Sequence, residues 1–423
     1  MLRSLGRFAL SGRRSRVAVL VLCALCAAAG GAVAFVRAQR AAARTDLDEN
    51  RPADARRRLE RALRVWPWSA EGHRLAGRAA RAEGDLPAAE AHLTRALRLA
   101  GGATESIQLE FLLLRAQLGE LDTVAPILSD TAEQGHDDAP LILETLARAY
   151  MVQLRYRPAY VCLNRWIELR PNVARAYQWR AWVTERLDNH KLAAADYARA
   201  LELDPELVSP RLRLAELYLE DKRVPEAAPH LERLYNTDAA NPLVRSRLGI
   251  CRFLQNEPGE ARRLMAGAAD ELPDDPLLLV YLARLEVQEE RYGEAEKWLG
   301  RILATDPTDN EARYSLVNVY QLQGRTADAA RALKEYEEAK SRLLRVNALL
   351  KDVADRPNAT ADEYAEIGDF LLLIGRTEVA RYWLERAIQR DPAHKRAHGG
   401  LARYYEKKGD APAASEHQRL ARP

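Results

Sequence analysis

QWRAWVTERLDNHKLAAADYARALELDP, residues 178–205, sets small Ala181, Ala193 and Ala200 at fixed intervals, closes on Pro205, and places bulky Trp179, Leu187 and Tyr197 between them. Two helices whose backbones touch need residues without bulk where they cross. A proline ends the second helix, because the residue before it is pushed out of the helical region. Working outward, Pro171, Pro205, Pro273 and Pro307 stand 34 or 68 residues apart, so the unit repeats every 34 residues. A fixed period of that length signals stacked supersecondary units, each burying its apolar face on its neighbours.

Counting from Ala174 as repeat position 1, Ala181, Ala193, Ala200 and Pro205 fall at positions 8, 20, 27 and 32. That pattern resembles the tetratricopeptide repeat. Ala70, Pro140, Val208, Pro242, Pro276, Ala361 and Lys395 open further repeats, with Gly77, Ala147, Ala215, Gly249, Ala283, Gly368 and Ala402 at position 8. Asn310 opens another, with Gly324 and Ala329. The resemblance implies an all-α fold: an α-solenoid of antiparallel helix pairs A and B, wound as a right-handed superhelix with the A helices on its concave face. Residues 37–338 read as about nine repeats and 361–423 as two more. Residues 105–138 fit less well: Val124 stands where alanine is expected and one extra residue is needed. Between Pro307 and Pro392 the period is broken by a surplus of 17 residues. Residues 339–360 supply it and read as an overlong helix B and spacer.

Before the repeats, Arg3, Arg7, Arg13, Arg14 and Arg16 in the basic segment 1–16 precede an uncharged run, 17–36, of 20 residues. That length crosses a bilayer as a helix, and the arginines predict a cytoplasmic N-terminus with exported repeats, as in a bacterial inner-membrane protein facing the periplasm. The alternative is a cleaved leader ending in an A-x-A site at Ala32–Ala34, which would make the protein secreted or periplasmic.

The 64 basic and 61 acidic residues nearly cancel and are finely mixed. Nucleic-acid binders show a basic stripe instead. All but nine of the basic residues are arginine, read here as coding bias. The four cysteines give neither a disulfide framework nor zinc spacing. No phosphate loop, H-E-x-x-H or G-x-S-x-G occurs. His394 and His398, four apart, sit beside Lys395 and Arg396, which oppose a metal. No catalytic residue, metal or cofactor is expected, and the chain reads as a non-enzyme.

The resemblance directs attention to positions 2, 5, 9 and 12 of each helix A. These include Leu212, Leu219, Leu243, Ile250, Phe253, Leu277, Val280 and Val287, with Trp182 before them and Tyr314, Asn318 and Gln321 after. An apolar channel of this kind suits a partner peptide or helix. In the repeat at Ala70 the corresponding residues include Arg74, Arg78 and Arg81, a basic face for lipid headgroups or an acidic partner. The expectation is a membrane-tethered interaction scaffold in envelope assembly or secretion. The alternative is a sensor or regulatory subunit of a separately encoded enzyme.

Overall fold

The computed structural model describes residues 13–353 and 359–422, without the side chains of 13–28 and 351–353. Among the described residues every regular element is an α-helix, and there are 22. Contacts divide the chain into two units that meet at Pro210 and Arg211, a boundary the repeat pattern does not mark.

The first unit comprises α1 (Arg13–Asp48), α2 (Pro52–Val65), α3 (Ala70–Glu83), α4 (Leu86–Ala100), α5 (Glu105–Gln117), α6 (Leu121–Glu133), α7 (Ala139–Val152), α8 (Tyr156–Leu169), α9 (Ala174–Arg186) and α10 (His190–Leu203). In the second, α11 (Val208–Glu220) enters at the boundary. It is followed by α12 (Val224–Thr237), α13 (Pro242–Leu254), α14 (Pro258–Ala269), α15 (Pro276–Gln288), α16 (Tyr292–Thr305), α17 (Asn310–Leu322), α18 (Thr326–Val353), α19 (Ala361–Leu373), α20 (Thr377–Arg390), α21 (Lys395–Lys408) and α22 (Ala411–Ala421). At 28 residues α18 is twice the length of α16, so it absorbs most of the break in period.

Close backbone approach explains the small residues. A Cβ built on Gly249 would lie 2.5 Å from Met265 Cγ and 3.2 Å from the Ala261 carbonyl, and one on Gly368 would lie 2.5 Å from Leu384. Helix A thus rests directly on helix B. Position 15 turns the chain between them in the left-handed region, whatever residue stands there. Gly84, Gly324, Gly375 and Gly409 do so freely, whereas Leu154, Asp188, Lys222, Asn256 and Glu290 do so at φ of 59–63°. Five side chains therefore accept a conformation that costs about 1 kcal/mol, which tertiary packing outweighs. Side-chain oxygens of Ser69, Asn241, Asp275, Asp309 and Thr360 cap the helices that open the repeats.

Odd-numbered helices also pack on the odd helix one repeat on: α1 on α3, α3 on α5 and α5 on α7 in the first unit, and α13 on α15 and α19 on α21 in the second. Those helices carry the inner face of each unit.

Two repeats hold an imidazole pair at the same positions. His73 Nε2–H donates to the Pro67 carbonyl at 3.1 Å, which leaves its Nδ1 to accept from His92 Nδ1–H at 3.0 Å. His398 repeats this with Pro392 at 3.0 Å and His417 at 2.8 Å. Ring centroids 5.3 and 5.1 Å apart place the facing nitrogens almost in line, so one proton fits between them. His394, meanwhile, caps α21 and reaches Asp362 at 3.0 Å, so it does not converge with His398.

The run 17–36 falls within α1, which continues unbroken into the first repeat. Most of that run lies outside the residues whose side chains are described. Among the described residues no helix is long and apolar enough to cross a membrane.

Candidate partner-binding faces

In the first unit the inner face is a cleft of about 960 Å³, lined mainly by α3, α7, α9 and the end of α8. Its base is a charge ladder. Arg81, 2% exposed, donates Nε and Nη2 to Glu110 Oε2 at 3.3 and 3.2 Å and Nη1 to Thr145 Oγ1 at 3.2 Å, tying α3 to α5 and α7. Arg74 forks onto Glu71 with two 2.8 Å bonds, and Arg78 reaches Asp138 at 3.1 Å. Arg74, Arg78 and Arg81 therefore do not form the open basic face that the spacing predicts. Arg74 is met within its own helix by Glu71, and Arg78 and Arg81 by groups from later repeats, which a one-repeat reading cannot see.

Above the ladder, Arg175 pairs with Glu144 at 2.7 Å and lies within 5.7 and 5.5 Å of the Trp166 and Trp179 ring centroids, which meet edge to face. Burial holds the Glu144 carboxyl above the usual carboxylate range despite that arginine. Arg148 and Arg170, both exposed, line the same cleft. No described carboxylate pairs with either. The wall thus offers cationic donors, indole surface and the amide of Gln178, with Arg175 and the two indoles held in place before any ligand arrives.

The apolar row splits between the units, Trp182 in the first and the rest in the second. Trp182 packs edge to face on Tyr156 at 5.8 Å with Arg186 over its ring. Leu219, Ile250 and Val280 are 8%, 1% and 5% exposed and belong to the core, with Leu212, Phe253 and Val287 packed half-buried against it. The expected continuous open channel is therefore corrected: tight packing of odd helices on one another covers its middle. Leu243, Leu277, Tyr314, Asn318 and Gln321 stand outside that cluster, and of these Leu277, Tyr314, Asn318 and Gln321 are exposed. A second ladder runs beneath: Arg247 donates Nε to Glu216 at 2.7 Å and Nη1 to Asp275 at 2.6 Å.

The lone cysteines Cys162 and Cys251 are buried, and desolvation pushes their thiols up to about 12 and about 11. Such groups pack rather than react.

Sequence models described as tetratricopeptide repeat match residues 40–104, 174–207, 219–285, 252–316 and 286–353, together more than half of the chain. The chain carries tetratricopeptide repeats. A curated relative, the DnaJ protein P58IPK homolog A of Oryza sativa subsp. japonica, is 32% identical over 93 residues, 22% of this chain. The chain spans about a fifth of that relative's length, 20%. Among solved structures, Pseudomonas aeruginosa PilF is 21% identical, covering 49% of this chain and 99% of its own, with a TM-score of 0.39. PilW, a type IV pilus biogenesis factor, is 19% identical over 48% of this chain and 92% of its own, with a TM-score of 0.40.

Proposed function

We propose that this tetratricopeptide-repeat chain is a non-catalytic scaffold that grips a protein segment on the inner faces of its repeats and is tethered to a membrane through residues 17–36. The carrying observation is the first-unit cleft of about 960 Å³, whose indole, amide and exposed arginine groups come from stacked helices that already hold one another through Arg81, Glu110 and Arg175. Arginine and tryptophan in a preformed recess are the residue types that dominate protein interfaces. The cleft's mixed charge favours an extended segment bearing both signs over nucleic acid. The reading of a tether is supported by the uncharged 20-residue run behind five arginines, and the same arginines favour the exported side for the repeats.

A photo-crosslinker at Gln178 in the full-length chain tests the cleft, with Arg165 on the exposed side of α8 as control. A discrete adduct at Gln178, absent at Arg165 and lost with Trp179→Ala, is the expected result. Equal labelling at both positions, or none at Gln178, rejects the scaffold reading. Protease added to intact cells tests the tether. Digestion of the repeats without rupture of the inner membrane supports export, and digestion only after its rupture overturns it.

A further inference from the structure

The second unit contains a separate cleft of about 500 Å³ where the overlong α18 runs beside α19, which in turn packs on α21. Four cations line it, Arg342 from α18 and Arg396, Arg403 and Lys407 from α21, against two carboxylates, Glu366 and Asp369. Both carboxylates are already engaged. Asp369 accepts from Arg396 Nε at 2.6 Å and from Arg403 Nη2 at 2.6 Å, while Glu366 takes Arg345 at 2.5 Å. No described carboxylate pairs with Arg342 or Lys407. Each guanidinium on Asp369 spends one of its five N–H donors there, so both are held in position with donors to spare. Their side chains remain 50% and 60% exposed. The wall between the cations is apolar, made by Leu372, by Leu373 at 38% exposure and by Phe370. In a chain whose formal net charge is only +3 over 423 residues, this local excess stands out.

We infer that this cleft is a docking site for an acidic protein segment that sets carboxylates against Arg342, Arg396, Arg403 and Lys407 and an aliphatic side chain against Leu373. An inorganic anion has no use for the apolar wall. A nucleic-acid base needs an open aromatic face to stack on, and Phe370 is 6% exposed. A flat bilayer cannot follow a recess between helices. Asp369 acts as a positioning residue, aiming two arginines that would otherwise sample many rotamers. The site rests on the scaffold reading only in taking a protein segment as its ligand, and it shares no residue with the first-unit cleft.

The probe is a short fluorescein-labelled synthetic peptide alternating leucine and glutamate, titrated against the full-length chain in non-ionic detergent by fluorescence anisotropy. Saturable binding is expected. It should weaken about tenfold in Arg342→Glu/Lys407→Glu and fall in strong salt, while Arg165→Glu, on the exposed side of α8 and outside both clefts, leaves it unchanged. Asp369→Asn should also weaken binding without altering the circular dichroism spectrum. Equal affinity of the double variant, equal binding of a leucine–lysine peptide, or phosphatidylglycerol vesicles retained with the same residue dependence would each overturn the assignment. Failure here leaves a crosslink at Gln178 standing, and loss of that crosslink leaves this titration standing.

Discussion

Glu110→Leu isolates what the first-unit ladder contributes. Arg81 and Glu110 are 2% and 1% exposed, so this is a buried ion pair. Removing the carboxylate strands only one of the three arginines around it. Arg74 keeps Glu71, Arg78 keeps Asp138, and Arg81 keeps only the neutral Thr145 hydroxyl, at 3.2 Å, as a hydrogen-bond partner. Breaking a buried pair from one side costs about 3–5 kcal/mol. Because Arg81 borders the cleft and water can reach its rim, the expected loss is at the low end, about 3 kcal/mol. Arg81→Leu combined with Glu110→Leu removes both charges and should return to within about 1 kcal/mol of the parent. Urea titration by circular dichroism gives the free energies, and hydrogen exchange shows whether α3, α5 and α7 open together, as a nearest-neighbour stack requires. A loss under about 1 kcal/mol for Glu110→Leu, or a double variant no better than the single, would refute the claim that the pair is desolvated and mutually dependent.

Gly249→Ala should destabilise by about 1–2 kcal/mol in the same titration, because the clash with Met265 outweighs the helical gain. Gly300→Ala, with nothing within 4 Å of the new Cβ, should stabilise by about 1 kcal/mol. Stabilisation at Gly249 as well as at Gly300 would show that helix A does not rest on helix B at position 8. Burial holds His73, His92, His230 and His417 below the ordinary imidazole range, with the charge of the paired imidazole adding at His92 and His417. The unfolded chain therefore takes up protons first as pH falls below 6.5, and stability declines through that window before the carboxylates titrate. His73→Gln/His92→Gln should flatten part of the slope, and an unchanged slope would remove the pair from the account.

Much of the fold was legible because backbone contact demands small residues at a fixed period, and that demand shows at Gly249 and Ala193 in a single chain. The turn at position 15 was half legible: glycine announces it at Gly84, but Leu154 adopts the same φ because the flanking helices impose it. The sites were harder to read. Rules about which helix positions face inward say nothing of how closely successive helices press together, so Ile250 and Val280 were read as surface and proved to be core. Arg81 was read without Glu110 and Thr145, which lie 29 and 64 residues away. Arg342 and Asp369 join one cleft only because α18 runs on beside α19, and no motif marks that meeting.

Arginine abundance, which the sequence suggests is a genomic habit, has a mechanical side. Bridges recur between groups about one repeat apart: Arg44 to Glu71, Arg56 to Glu83, Arg155 to Asp122, Arg284 to Glu311. They act as rivets along the seams. Arg284 and Glu311 are 45% and 59% exposed and would slacken in brine, whereas Arg247 and Glu216, at 11% and 8%, would keep their grip. Ionic strength then acts as a tuning screw on some joints and not on others, leaving the inner ladders stiff while the outer skin yields.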